Sequence, residues 1–122
     1  MADSEQTANR LVESLNALTL AAPGMPASEP VQLPAPDQLS LETVSAPHTA
    51  FFGSACQVSA KNAAGRVAAE QLTPYPPGIP VVVPGERLTQ PVIDYLRSGL
   101  AAGMAIPDAT DSTLQTFRVS DT

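Results

Sequence analysis

The segment Gly65-Arg66-Val67-Ala68-Ala69-Glu70, followed by Pro74-Tyr75-Pro76-Pro77-Gly78-Ile79-Pro80 and then Pro84-Gly85-Glu86, decides how the rest of the chain is read. Residues 74–85 hold five prolines and two glycines in twelve positions. Proline fixes φ and lacks an amide hydrogen, so 74–80 cannot be helix and cannot lie in the middle of a sheet. Such a stretch loses little chain entropy on folding and is held in one shape at small cost. A tight reversal of this kind invites a cis bond at Tyr75–Pro76 or Pro76–Pro77. The loop carries one aromatic ring, Tyr75, with a carboxylate on either side in sequence, Glu70 and Glu86. Two readings stay open on physics alone. Either the three side chains wall a cleft, or the glutamates pair with Arg66 and Arg87 and merely fasten the reversal.

Around this block the pattern is that of a small α+β domain with short strands and short helices. Upstream, Ala50, Phe51 and Phe52 supply an aromatic cluster expected in the core, and Cys56 reads as a small buried hydrophobe. Ser59 is placed to cap a turn of helix through Ala63, which Gly65 ends. Arg66 to Leu72 and the β-branched run Val81 to Val83 read as extended. Downstream, Thr89 caps a second helix with Pro91 in its first turn. Val92, Ile93, Leu96 and Leu100 form its apolar face, and Gly103 closes it. Met104 to Ile106 and Thr113 to Val119 read as two last strands, with Pro107, Asp108 and Asp111 supplying turn chemistry between them.

Further out, residues 3–20 form an amphipathic helix. Ala8, Leu11, Val12, Leu15 and Leu18 recur at helical spacing on one face, while Arg10, Glu13 and Asn16 fall on the other. Asp3 with Gln6 fits a capping box, and Pro23 and Gly24 stop the helix. Residues 23–36 carry five prolines and read as a semi-rigid extended tether. The stripe on the helix has no partner in that tether. The chain therefore divides into the helix at 1–22, a proline-rich linker at 23–38 and the α+β domain at 39–122.

Composition narrows the function. The 122 residues carry six Lys plus Arg against twelve Asp plus Glu, a formal charge of −6, which disfavours nucleic acid and anionic membrane as partners. No stretch approaches the ~20 apolar residues of a membrane span, and no secretory leader is expected at the start. A single cysteine forms no internal disulfide and fits the cytoplasm. One cysteine, one histidine and one lysine leave nucleophilic triads and metal clusters without members. His48 reads as a surface side chain, and Lys61 as part of a solvated turn.

The three-piece pattern at 65–70, 74–80 and 84–86 closely resembles the C-terminal domain of the ornithine/lysine/arginine decarboxylases, which have an aspartate-aminotransferase fold. The resemblance extends to Ala50-Phe51-Phe52 and to Asp111-Ser112-Thr113-Leu114, and is strongest over 47–119. It implies a domain that helps shape an active-site entrance, with Glu70, Tyr75 and Glu86 in that role. Gly65, Arg66, Pro74, Pro76, Pro77, Gly78, Pro80, Pro84 and Gly85 build its frame. It implies pyridoxal 5'-phosphate in the parent enzyme but not in this chain, since Lys61 does not match the family's cofactor lysine. The catalytic domain of the same parent chain and further copies in a homo-oligomer are the implied partners. A stand-alone binding or regulatory module is the competing expectation.

Overall fold

The computed structural model describes residues 4–121. An N-terminal helix α1 (Glu5–Ala21) and a turn of 3-10 helix (Ala22–Gly24) lead into an extended segment and a second 3-10 turn (Pro36–Leu39). Helix α2 (Pro47–Phe52), strand β1 (Ala55–Ser59), helix α3 (Ala60–Ala63), helix α4 (Gln90–Ala101) and strand β2 (Thr116–Ser120) follow. The α+β class holds. Strands β1 and β2 pair antiparallel with Ala55 opposite Ser120 and Ser59 opposite Thr116.

The core gathers side chains from α4, β2, α3 and the loops between them. Val92, Ile93 and Leu96 on α4 pack with Phe117 and Val119 of β2, with Leu72, Val82, Leu88 and Leu114 from the loops, and with Ala60 and Ala63 of α3. The helical spacing of the α4 residues presents them on one side, which is why they are buried together. Leu100 packs against the margin of this cluster. Gly103, at φ +98°, turns the chain out of the helix, as its sequence position requires.

Several local expectations are corrected. Phe51 and Phe52 are exposed and only Ala50 of that trio is buried, because Phe117 and the aliphatic side chains already fill the core. Phe51 instead lies under the Arg118 guanidinium, 5.6 Å from its ring centroid, and meets Phe52 edge-on at 5.0 Å. Cys56 is exposed on β1 rather than buried. Val81 to Val83 and Met104 to Ile106 do not become strands. Each contributes one isolated bridge, Leu72 with Val82 and Tyr75 with Ala105. The expected cap Asp3 lies outside the described residues. Within them, Ser4 is the N-cap of α1 and its hydroxyl accepts from the Thr7 amide at 3.2 Å. Thr89 and Ser59 occupy cap positions in backbone terms, but neither side chain bonds the first turn.

Helix α1 buries none of its described residues, and Leu11, Val12, Leu15 and Leu18 are each more than half exposed. The proline-rich segment does touch the domain. The Gln32 amide donates to Ser98 Oγ of α4 at 2.8 Å, and Val31 and Pro34 are half-buried.

Candidate functional site

The three pieces of the 65–86 block meet beside β2. Residues 67–69 run antiparallel to β2 through the Ala68–Val119 bridge, with Ala69 N–H donating to Arg118 O and Ser120 N–H to Val67 O. Residues 86–88 lie on the other side of 65–68: Ala68 N–H donates to Glu86 O, and Leu88 N–H to Arg66 O. Gly85 sits at φ +93° against Ser45, and its carbonyl accepts from both the Val44 and Ser45 amides. A side chain there would place its Cβ 2.2 Å from Ser45 O, so the close approach requires glycine.

The proline-built loop closes on itself. Gly78 N–H donates to Pro74 O at 2.8 Å, and the Tyr75–Pro76 and Pro76–Pro77 bonds are both cis. Gly78, at φ +82°, lets the Tyr75 ring lie over it; a Cβ would stand 2.7 Å from that ring. Tyr75 exchanges backbone hydrogen bonds with Ala105, which fixes the base of the loop. The outcome is a rigid tip with Tyr75 52 % and Ile79 65 % exposed.

The two glutamates sit in different surroundings. Glu70 is buried, and its carboxylate accepts from the Arg118 amide at 2.7 Å and the Thr110 amide at 2.8 Å. Glu86 is half-buried and accepts from the Val83 amide at 2.9 Å. Neither pairs with Arg66 or Arg87. Arg87 instead makes the ion pair with Glu42 at 2.8 Å and donates to Gly65 O, while Arg66 donates to Ser120 O.

Two further acids complete the frame. Asp108 accepts from the Thr73 amide at 2.9 Å and from Gln71, tying 105–110 to the strand-like segment before the proline loop. Asp111 accepts from the amide and hydroxyl of both Thr113 and Thr116. These hydrogen bonds, the Thr113 hydroxyl foremost, hold its carboxyl well below the usual carboxylate range. The Asp-Ser-Thr spelling announces this local turn in sequence. What sequence alone missed is that Glu70 likewise holds backbone amides, those of Thr110 and Arg118.

The nucleophile and cofactor candidates stay dispersed. His48 is exposed and stacks at a tilt on Phe52 at 5.2 Å. Lys61 is exposed on α3. Among the described residues no cluster of three His, Cys, Asp or Glu could hold a metal ion. No helix among them is long and apolar enough to cross a membrane. A hollow of 460 Å³ between α4 and the extended segment, lined by Gln32, Asp94, Arg97, Ser98, Thr113 and Gln115, includes none of Glu70, Tyr75 or Glu86.

Fold and site together define a small α+β module in which buried or half-buried carboxylates fasten loops and one stiff loop presents an aromatic ring. Residues 35–111 match the family described as Orn/Lys/Arg decarboxylase, C-terminal domain, and the chain belongs to that family. It is similar to an arginine decarboxylase of Bacillus subtilis, 35 % identical over 120 residues, covering 96 % of this chain and 24 % of that protein. An arginine decarboxylase of Bacillus anthracis is 44 % identical over 73 residues, which are 60 % of this chain and 15 % of the relative. The solved lysine decarboxylase of Francisella novicida is 28 % identical with a TM-score of 0.48, over 67 % of this chain and 14 % of that one. The chain thus spans about a quarter or less of these relatives.

Proposed function

We propose that these residues work as the C-terminal portion of a longer, pyridoxal-phosphate-dependent decarboxylase of ornithine, lysine or arginine, cytoplasmic and assembled as a homo-oligomer. The observation that carries this reading is the alignment of 120 residues with only 24 % of a protein named arginine decarboxylase. Lys61 is the only lysine, is exposed on α3, and has no glycine-rich phosphate loop beside it. These residues do not fit the cofactor, so decarboxylation belongs to the remainder of the longer chain. The division into a helix at 1–22, a linker at 23–38 and a domain at 39–122 follows, with the apolar stripe of α1 covered by the region that precedes it.

Within this reading Tyr75 walls the active-site entrance. It stands out on the stiff loop, whereas Glu70 is turned inward and positions the 110 and 118 backbone from behind. Glu86 orders the Val83 turn, and its charge adds to a negative surface that favours cationic substrates. Two measurements test the assignment. The 122-residue chain supplied with pyridoxal phosphate and each basic amino acid releases no CO₂. In the longer decarboxylase, Tyr75→Ala raises KM for the basic amino acid several-fold while the cofactor absorbance stays intact. Turnover by the short chain, or an unchanged KM, overturns the reading.

A further inference from the structure

The proline loop is stiff, so its tip goes where its stem points. Gly78 N–H closes the loop onto Pro74 O, and the Tyr75 ring covers Gly78, which leaves little internal slack. The stem is held on two sides by successive residues. Leu72, fully buried, donates its N–H to Val82 O and accepts from Val81 N–H, which joins the two legs of the loop. Thr73 turns the other way, and its amide donates to Asp108 Oδ1 at 2.9 Å. Thr73 is itself buried, so leaving that amide without an acceptor carries a desolvation cost. Pro74 has no amide to offer, and Tyr75 exchanges N–H and C=O with Ala105.

Asp108 is held in its turn. It follows Pro107 in a tight reversal between Ile106, buried in the core, and Ala109, packed at the core's margin. Ala109 N–H closes that reversal onto Ile106 O. The next residue, Thr110, gives its amide to Glu70, whose other oxygen accepts from the Arg118 amide of β2. Gln71 adds a second contact, with its Nε2 3.2 Å from Asp108 Oδ2 and 3.2 Å from Thr73 Oγ1. Residues 105–110 thus hold 70–75 at Tyr75, Thr73 and Glu70. The middle tie joins the residue just before the proline loop to a turn seated in the core.

We propose that Asp108 is a positioning residue for the active-site entrance: its carboxylate fixes the stem of the 74–80 loop and so the direction in which Tyr75 stands out. The proposal rests on the reading of Tyr75 as a wall of that entrance. Asp108 acts through where its acceptor oxygens sit rather than through its charge. Its Oδ1 meets a backbone amide, and its Oδ2 meets the Gln71 side-chain amide, which turned over presents an oxygen instead of a nitrogen. Asparagine at 108 therefore satisfies both contacts. Glutamate keeps the charge but moves the oxygens by a methylene, and alanine loses them. With the Thr73 amide released the stem shifts, and a loop that does not bend internally carries the shift to the Tyr75 ring.

Steady-state kinetics of the longer decarboxylase read the proposal beside Tyr75→Ala. Asp108→Ala and Asp108→Glu each raise KM for the basic amino acid several-fold with kcat and cofactor absorbance unchanged, whereas Asp108→Asn keeps the parent KM. Asp108→Ala combined with Tyr75→Ala raises KM no further than Tyr75→Ala alone. A merely structural loss lowers the active fraction, and with it kcat, and adds to the Tyr75 effect. In the 122-residue chain, Asp108→Ala and Asp108→Glu speed hydrogen exchange at the Tyr75 and Ala105 amides and leave the Ile93 and Leu96 amides of α4 unchanged. Asp108→Asn keeps all four slow. Should Asp108→Ala fail to fold, the Glu and Asn variants carry both measurements. If Tyr75→Ala raises KM and Asp108→Glu does not, the positioning role falls and the entrance reading stands. If Tyr75→Ala leaves KM unchanged, the entrance reading falls and takes this proposal with it. Equal effects of Glu and Asn, an additive double variant, or Tyr75 and Ala105 amides indifferent to Asp108→Glu also overturn it.

Discussion

Gly85 and Gly65 show how differently two left-handed glycines behave. Both sit at positive φ, +93° and +84°. At Gly65 a Cβ meets nothing within 4 Å, so Gly65→Ala carries only the backbone penalty, about 1–2 kcal/mol. At Gly85 it strikes the Ser45 carbonyl whose neighbouring amides grip Gly85 O, so Gly85→Ala adds a backbone displacement to the same penalty. Chemical denaturation of the two variants should show Gly85→Ala the more destabilised, and the Val44 and Ser45 amides should exchange hydrogen faster in that variant alone. Asp111 makes a different prediction. Its carboxyl titrates below the ordinary aspartate value of 3.8 in the folded chain, so folding favours the ionised form. That contribution is fully present above about pH 4 and disappears as acid protonates the folded carboxylate. Asp111→Asn should therefore lower the denaturation midpoint at pH 7, with the difference from the parent chain shrinking as the pH falls below about 4. A difference that grows in acid would refute it. The turn role of Asp111 was readable from its neighbours, because Asp-Ser-Thr chemistry is local. The inward role of Glu70 was not, since its partners Thr110 and Arg118 lie 40 and 48 residues away.

Among the elements, α4 was the most legible. Its apolar spacing, Pro91 in the first turn and Gly103 beyond the end all act within one helix, so the pattern carries the answer. Leu96→Ala, at a fully buried position packed toward β2, is expected to cost about 2–5 kcal/mol by chemical denaturation. A loss below about 1 kcal/mol would mean that α4 is not the core helix. The strands were harder. Val81 to Val83 is strongly β-branched yet forms one bridge, because Pro80 and Pro84 on either side deny it a ladder. Conversely Ala55–Ser59 carries little strand propensity and is a strand, since its pairing with β2 across some sixty residues supplies what local preference does not. The same long-range pairing decides where Phe51 lies, because Arg118 from β2 gives its ring a place on the surface.

Across the whole molecule, one long amphipathic element stands apart from a well-packed domain. Helix α1 spans 17 residues, buries none of them, and joins the domain through a proline-rich segment that docks at Gln32. A lone helix of this length is marginal in water, so its stability must come from packing elsewhere. If the region preceding this chain in a longer decarboxylase covers the stripe, two things follow. In the 122-residue chain, removing residues 1–22 leaves the unfolding free energy of the domain within about 0.5 kcal/mol, as for substitutions at surfaces that touch nothing. The amides of α1 exchange there as fast as those of a fraying peptide. In the longer protein the same amides become protected, and Leu15→Gln lowers its melting temperature while leaving that of the short chain unchanged. A short chain destabilised by the truncation would place the helix on the 39–121 domain itself. Equal destabilisation of both proteins by Leu15→Gln would show that the stripe is already covered without the preceding region.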